Sequence, residues 1–311
     1  MPQPTFVHIG YHKTATNWFQ RLFYPAVRNF KYVHRKRARL AFTEDHAFQF
    51  DPAVAFARLE TPAPEGLILC EEELSGNLHN GGLHGYLSKE VAHRIKQTLP
   101  GAEVIIFIRS QTEMIGSVYK QYVKEGGTHS PRRYLFPYDY LDPHGFSPKK
   151  SPLFAFQHYD YRLLIDHYRT VFGPEKVHVF LYEEFSRNHT DFMARYIERF
   201  GFDVDLAAAP NTRLNVSNKK FSLWVARMMN RFAYRNVIDK HYFLNVPGMY
   251  RLRGRVVAPL LDRIAFFSGP ARPRDILGPD IVRHIEDYYR ASNRLLAEQL
   301  DLPLAQHGYP V

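Results

Sequence analysis

The sequence predicts an α/β fold: a central parallel sheet flanked by helices, with a helical C-terminal elaboration. Three observations carry this. First, Phe6 to Ile9, Leu67 to Cys70, Val104 to Ile108 and Val177 to Leu181 are short, continuous apolar runs. Strands buried on both faces read in this way, whereas half-solvated strands alternate. Second, longer segments of helical period lie between those runs, as crossover connections between parallel strands require. Third, the strand pattern fades from about Asn211 and helical segments follow.

Each element has a local reason. Phe30 to Val33 is a further, weaker strand candidate. Asn17 to Phe23 carries Trp18 and Leu22 four positions apart, on one helical face. A helix over Ser88 to Leu99 stops at Pro100-Gly101, and one over Thr112 to Lys124 stops at Gly126-Gly127. Phe156 to Phe172 reads as a helix closed by Gly173-Pro174. Phe221 to Phe232 and Pro279 to Leu300 are the helical segments of the C-terminal part. No repeat or low-complexity linker divides the chain, so residues 1–311 are expected to form one domain.

Composition narrows the partners without choosing among them. The chain has 311 residues and 45% apolar content, a globular mix. Its 24 Phe and 20 Tyr suit a large aromatic core and flat apolar surfaces. The formal net charge of +10 favours an anionic partner. Cys70 is the sole cysteine, so no disulfide forms within the chain. No signal-peptide pattern or membrane-spanning apolar stretch is visible, and a cytoplasmic protein is expected.

Two motifs carry the chemistry. The first strand ends at Gly10 and leads into Tyr11-His12-Lys13-Thr14-Ala15-Thr16-Asn17-Trp18. A strand, a loop and a helix start make an anion site, because the first helical amides are unpaired and carry partial positive charge. Thr14 and Thr16 can cap or donate, and Lys13 adds a mobile charge. This is not a Walker A loop: there is no Gly-Lys pair and no Ser or Thr after one to hold Mg²⁺. The second motif follows the strand Val104 to Ile108. Arg109 ends it, Ser110 and Glu113 have capping-box spacing, and Ser117 lies eight residues after Arg109. The planar fork of an arginine suits two oxygens of a phosphate.

Together these residues resemble the PAPS-dependent sulfotransferases (PAPS is 3′-phosphoadenosine 5′-phosphosulfate) of bacterial type. In motif style the likeness is nearest to carbohydrate and heparan-sulfate-like members. Gly10 to Trp18 is similar to their 5′-phosphosulfate loop, G-x-x-K-[TS]-G-T-[TS]-x-[LF]. Ala15 stands where that pattern often has Gly, and Asn17 where it often has Thr or Ser. Arg109 and Ser117 match the Arg and Ser that grip the 3′-phosphate. Phe180 to Phe185 is similar to a strand followed by a Tyr-Glu pair. Arg213 to Ser222, with Ser217 and Lys219, resembles a segment that closes over the nucleotide, and Tyr289 to Leu295 resembles the C-terminal helix. The resemblance implies a P-loop-like, nucleotide-kinase-like sulfotransferase fold, PAPS as donor, its product PAP, and no required metal. It implies His12, Lys13, Thr14, Ala15, Thr16, Asn17, Trp18, Arg109, Ser117, Ser217 and Lys219 as nucleotide contacts.

Sulfuryl transfer needs a cation where the leaving oxygen gathers charge and a base at the acceptor hydroxyl. Lys13 is the expected cation. For the base, the strand Leu67 to Cys70 delivers Glu71-Glu72-Glu73 to the sheet edge, and Cys70 to Leu74 resembles the family's S-S-E-E-L stretch. Glu72 is the first choice, Glu73 and His12 the second, with His79 or His84 as a further histidine alternative. No histidine and cysteine spacing suits zinc.

The acceptor side is less specific. His129 to Pro152, with Arg132-Arg133 and Lys149-Lys150, has the composition of an acceptor lid. Arg35 to Arg39 and Arg251 to Arg255 read first as solvated basic faces. As functional elements they suit an anionic glycan or a lipid headgroup, with peripheral membrane contact through Arg251 to Phe267. A Mg-ATP-dependent small-molecule kinase and a basic nucleic-acid-binding protein are the alternatives. The missing Gly-Lys pair argues against the first, and the ordered pair of phosphate motifs against both. No nucleic acid is expected as a partner.

Overall fold

A computed structural model describes residues 4–61, 66–140, 154–205, 220–233, 243–264 and 272–311. Among these, the elements in chain order begin with β1 (Phe6–His8), α1 (Thr16–Trp18), β2 (Lys31–Val33), α2 (Arg35–Phe42), α3 (Pro52–Arg58) and β3 (Leu67–Cys70). They continue with α4 (Tyr86–Thr98), β4 (Glu103–Ile108), α5 (Gln111–Lys124), α6 (Pro131–Leu135), α7 (Tyr161–Phe172), β5 (Val177–Leu181), α8 (Tyr182–Arg187) and α9 (His189–Phe200). The last are α10 (Lys220–Met229), α11 (Met249–Leu252), α12 (Ala258–Ile264), α13 (Pro273–Leu277) and α14 (Pro279–Leu300). The chain groups into two compact units. One comprises Met1–Arg109, Gln157–Leu214 and Ser292–Gly308; the other comprises Ser110–Phe156, Asn215–Ala291 and Tyr309–Val311.

The first unit holds the sheet. Five strands run in the order β2-β3-β1-β4-β5, and every pairing is parallel. This is the α/β fold with a central parallel sheet that the sequence predicts. From β1 the chain steps out to the edge strand β2, returns to β3, then crosses to β4 and β5 on the other side of β1, so the strand order reverses beside β1. In open α/β sheets, ligands bind beyond the carboxyl ends of the strands at such a point.

The aromatic surplus is largely core. Phe19 meets Phe107 at 5.1 Å, Phe185 at 5.4 Å and Tyr196 at 5.6 Å between ring centroids. It lies in a buried cluster with Phe6, Trp18, Phe23, Ile68 and Ile105. Each such ring contributes about 1.5–3 kcal/mol through burial alone. Within this core the Tyr24 hydroxyl bridges His8 Nδ1 at 2.9 Å and Tyr196 Oη at 2.7 Å. Burial pushes the His8 imidazole down to about 3, so it is a neutral core group.

Several elements differ in detail from the sequence reading. After α1, Phe19–Phe23 winds as a π-helix, where a single helical segment over Asn17 to Phe23 was expected. Phe156 to Phe172 is a 3₁₀ turn over Phe156–Tyr159 and then α7, because Asp160 leaves helical backbone at ψ 85. Arg35 to Arg39, read first as a basic face, forms most of α2. Helix α5 starts at Gln111 as expected, but the Ser110 side chain makes no capping hydrogen bond.

In the second unit α5 is tightly tied. The Asn230 side chain donates to the Val123 and Gly127 carbonyls at 2.9 and 2.7 Å, and buried Arg253 donates to Val123 at 3.1 Å. A Cβ on Gly116 would lie 2.3 Å from Pro273 Cβ, so α5 and α13 approach closely at that residue.

Candidate active site

Parallel register explains why residues far apart in sequence meet. His8 pairs with Cys70 on one side and Ile105 on the other, while Val33 pairs with Leu69. The residues after β1, β2, β3 and β4 therefore emerge at one edge. Those residues are the Gly10 to Lys13 loop, Arg35, Glu71 to Glu73, and Arg109.

The loop is braced from within. Gly10 has φ 65, and a Cβ there would lie 3.1 Å from Thr16 Oγ1. The Tyr11 amide donates to Phe107 O at 3.2 Å, pinning the loop to β4. The Thr14 hydroxyl donates to Tyr11 O at 2.5 Å, and that of Thr16 donates to the same oxygen at 3.3 Å. Each hydroxyl has one proton, and both point into the loop. Ala15 is the N-cap of α1 and, like Lys13, adopts a left-handed backbone, at φ 67 and 68. Such geometry costs a non-glycine residue about 1–2 kcal/mol and clusters at functional sites. It also explains why glycine suits position 15. Trp18 is buried in the aromatic core, and His12, Lys13 and Asn17 are half-buried.

Arg109 joins the two motifs. Its Nη1 donates to Lys13 O at 3.3 Å, and its guanidinium lies 4.8 Å from the centre of the Tyr182 ring. Tyr161 Oη donates to Arg109 O at 2.5 Å. Ser117 is half-buried on α5 in the second unit. Ser217 and Lys219 lie outside the described residues, as do Lys149 and Lys150 of the expected lid.

The three glutamates have distinct partners. Glu71 is fully buried and accepts from Arg35 Nε at 2.7 Å and Nη2 at 3.1 Å, with Arg39 Nε at 3.5 Å. Burial raises its carboxyl, opposed by the Arg35 hydrogen bonds and reinforced by the Glu72 charge, and the net direction is up. Glu72 accepts from Gln20 Nε2 at 2.8 Å through one oxygen and from Arg35 Nη2 at 3.1 Å through the other. Glu73 Oε1 faces His12 Nε2 at 3.4 Å. Burial raises the Glu73 carboxyl too, but the hydrogen bond and charge of His12, then Arg39 and Arg35, outweigh it and hold it low. Burial pushes the Cys70 thiol well up, which keeps it protonated.

A histidine and tyrosine cluster adjoins this edge. His12 Nδ1, Tyr11 Oη and His158 Nε2 are buried without a hydrogen-bond partner among the described residues. The Tyr11 and His158 rings lie 5.2 Å apart. Burial, then the charges of His12 and His79, push His158 down to about 3. Gly81 lies against this cluster at φ 74, and a Cβ there would fall 2.9 Å from His158 Nδ1. His84 is exposed. Among the described residues no group of three or more His, Cys, Asp or Glu side chains could hold a metal ion.

Sequence reasoning missed Gln20, Arg39, His158 and the role of Arg35. Arg35 lies two residues after the end of β2, and Arg109 directly after β4, which was the available signal. Nothing local distinguishes Gln20 or His158.

Comparison with known proteins gives one kind of match. Two solved sulfotransferases are similar in structure to this chain. One, from Alicyclobacillus acidocaldarius, is 19% identical with a TM-score of 0.45, over 69% of this chain and 87% of its own. The other, a mouse sulfotransferase complexed with PAP, is 13% identical with a TM-score of 0.44, over 94% of this chain and 85% of its own. No family model and no curated protein sequence matches the chain.

Proposed function

We propose that this protein is a sulfotransferase that transfers a sulfuryl group from PAPS to an acceptor hydroxyl, on a glycan or a lipid headgroup, by in-line displacement without a metal. The observation that carries the reading is the hydrogen bond from Arg109 to Lys13 O. It ties together two anion-binding motifs 96 residues apart at the carboxyl edge of a parallel sheet. A kinase reading lacks the Gly-Lys pair of its loop, and a nucleic-acid reading gives no reason for this pairing.

PAPS supplies an activated sulfuryl group. Lys13 would place positive charge where the leaving oxygen gathers negative charge, and Arg109 would hold the 3′-phosphate. The amides at the start of α1 add partial positive charge on the same side. Positioning and electrostatics would thus supply most of the rate. Lys13→Ala is expected to depress turnover far more than PAP affinity.

The base expected from the sequence is Glu72. A specific observation favours the second choices instead. Both Glu72 oxygens already accept hydrogen bonds, whereas His12 turns Nε2 toward Glu73 and keeps Nδ1 buried and unpartnered among the described residues. With Nε2–H donated to Glu73, Nδ1 carries the ring's remaining lone pair, and an acceptor bound against the loop would have to reach it for His12 to take the proton. His12→Asn should then abolish transfer while weakening PAP far less, and Glu72→Gln should retain transfer. The opposite pattern returns the base to Glu72.

The first test is calorimetric titration with PAP, AMP and ATP in parallel, without magnesium. PAP should bind at least ~10-fold tighter than AMP or ATP, equal to ~1.4 kcal/mol, and Arg109→Ala should erase that preference. Equal binding of the three nucleotides would defeat the reading.

A further inference from the structure

Helix α10 is apolar on two opposite faces. Ser222, Leu223, Ala226 and, in the 3₁₀ turn after α10, Asn230 are buried, and Asn230 anchors this element to the carbonyls of Val123 and Gly127. At about 100° per residue, Phe221, Trp224, Met228 and Phe232 fall on the other side. Phe221 and Trp224 are 47% and 52% exposed, with rings stacked 6.2 Å apart. Phe232 continues the stripe to Phe243, itself 72% exposed, at 5.9 Å. Backbone bonds from Phe243 N to Arg231 O and from Val246 N to Phe232 O fix that continuation. Helix α12 packs against α10 and adds half-exposed Leu260. A monomer rarely exposes so many large apolar side chains in one connected run.

The charge around this stripe selects the partner. From Lys220 to Leu261 the sequence has eight Lys or Arg and a single acid, Asp239. Lys220, Arg251 and Arg255 are exposed, and the Arg231 guanidinium lies 5.9 Å from the centre of the Phe243 ring. Arg253 is different: it is buried and bonded to Asn230 and to carbonyls at the end of α5, so it serves the fold. Exposed aromatics accompanied by exposed basic side chains match a surface with an apolar interior and an anionic face. A second copy of this chain would set like charge against like. No described helix is long and apolar enough to cross a membrane.

We propose that the α10 to α12 region of the second unit docks peripherally on an anionic lipid bilayer, with Phe221, Trp224 and Phe243 entering the interface and Lys220, Arg251 and Arg255 meeting headgroup phosphates. This stands on the surface alone and holds whether or not the protein transfers sulfuryl groups.

Tryptophan fluorescence tests it directly. The chain has two tryptophans: Trp18 is buried and Trp224 is exposed. The full chain is mixed with vesicles of phosphatidylcholine alone, or of phosphatidylcholine with phosphatidylglycerol. Co-sedimentation and a blue shift of emission are expected with the anionic vesicles only, weakening as salt rises. Trp224→Phe should bind but lose the shift. Arg251→Glu with Arg255→Glu should lower partitioning about 30-fold or more, at about 1 kcal/mol per neutralised charge. The substituted side chains are exposed, so thermal melts should match the parent. If the reversal lowers the melt, Arg251→Gln with Arg255→Gln is read instead. Absence of binding, equal partitioning to both vesicle types, or a vesicle-free dimer that shifts Trp224 emission would each overturn the proposal.

Discussion

Arg35→Met isolates the ion network that holds the candidate site. Arg35 is the main cation for Glu71, whose side chain is fully buried, and it also reaches Glu72 at 3.1 Å. Removing one partner of a buried pair costs about 3–5 kcal/mol, because the other charge is left in a poor solvent. Here the figure is reduced. The Arg35 side chain is 26% exposed, and Arg39 remains 3.5 Å from Glu71. A loss of about 2–3 kcal/mol is expected, a fall of about 1 M in the urea midpoint at a typical slope. The loss should depend on pH with a definite sign. The Glu71 carboxyl is already raised in the folded protein, and loss of Arg35 raises it further. A raised carboxyl contributes stability at low pH that is lost as pH climbs through its folded value. The deficit of the variant should therefore grow from acid toward neutral pH. Adding Glu71→Gln should recover much of it, giving a coupling energy in a double-mutant cycle. A deficit equal at acid and neutral pH, or no recovery with Glu71→Gln, would refute the view that a stranded buried charge is the cause.

Three further outcomes follow from the geometry. Ala15→Gly should raise stability by about 0.5–1 kcal/mol, since glycine relieves the left-handed backbone at a small entropic cost; a lower melting temperature would count against that strain. Gly81→Ala should destabilise by at least ~1–3 kcal/mol, the scale of overpacking, because its Cβ would press on Ser88 Oγ and His158 Nδ1 at φ 74; an unchanged melt would mean the turn yields. Glu73 is held low by His12, so its contribution exists above its ordinary value and fades as pH falls through the folded one. Glu73→Gln and the parent should therefore differ in stability at neutral pH and converge in acid, measured by denaturation across pH.

The sequence by itself determined what depends on neighbours along the chain. Burial on both faces makes continuous apolar runs, so β1, β3 and β4 were legible. The partly buried edge strands β5 and, more weakly, β2 still kept enough apolar residues to be read, and α10 and α14 were legible too. The loop after β1 and the arginine after β4 were legible because they follow strand ends directly. Tertiary structure decided which ends meet. Strand β2 lies beside β3 in a register that pairs Val33 with Leu69, and this alone sets Arg35 beside Glu71. Without that order Arg35 to Arg39 reads as a solvated face. The inward turn of the Thr14 and Thr16 hydroxyls, the hydrogen bond from Arg109 to Lys13 O, and the meeting of His12 with Glu73 are of the same kind. Residue type and spacing specify hydrogen-bonding capacity and helical or extended period. Which donor meets which acceptor across 61 or 96 residues follows from strand order and register, which local patterns do not encode.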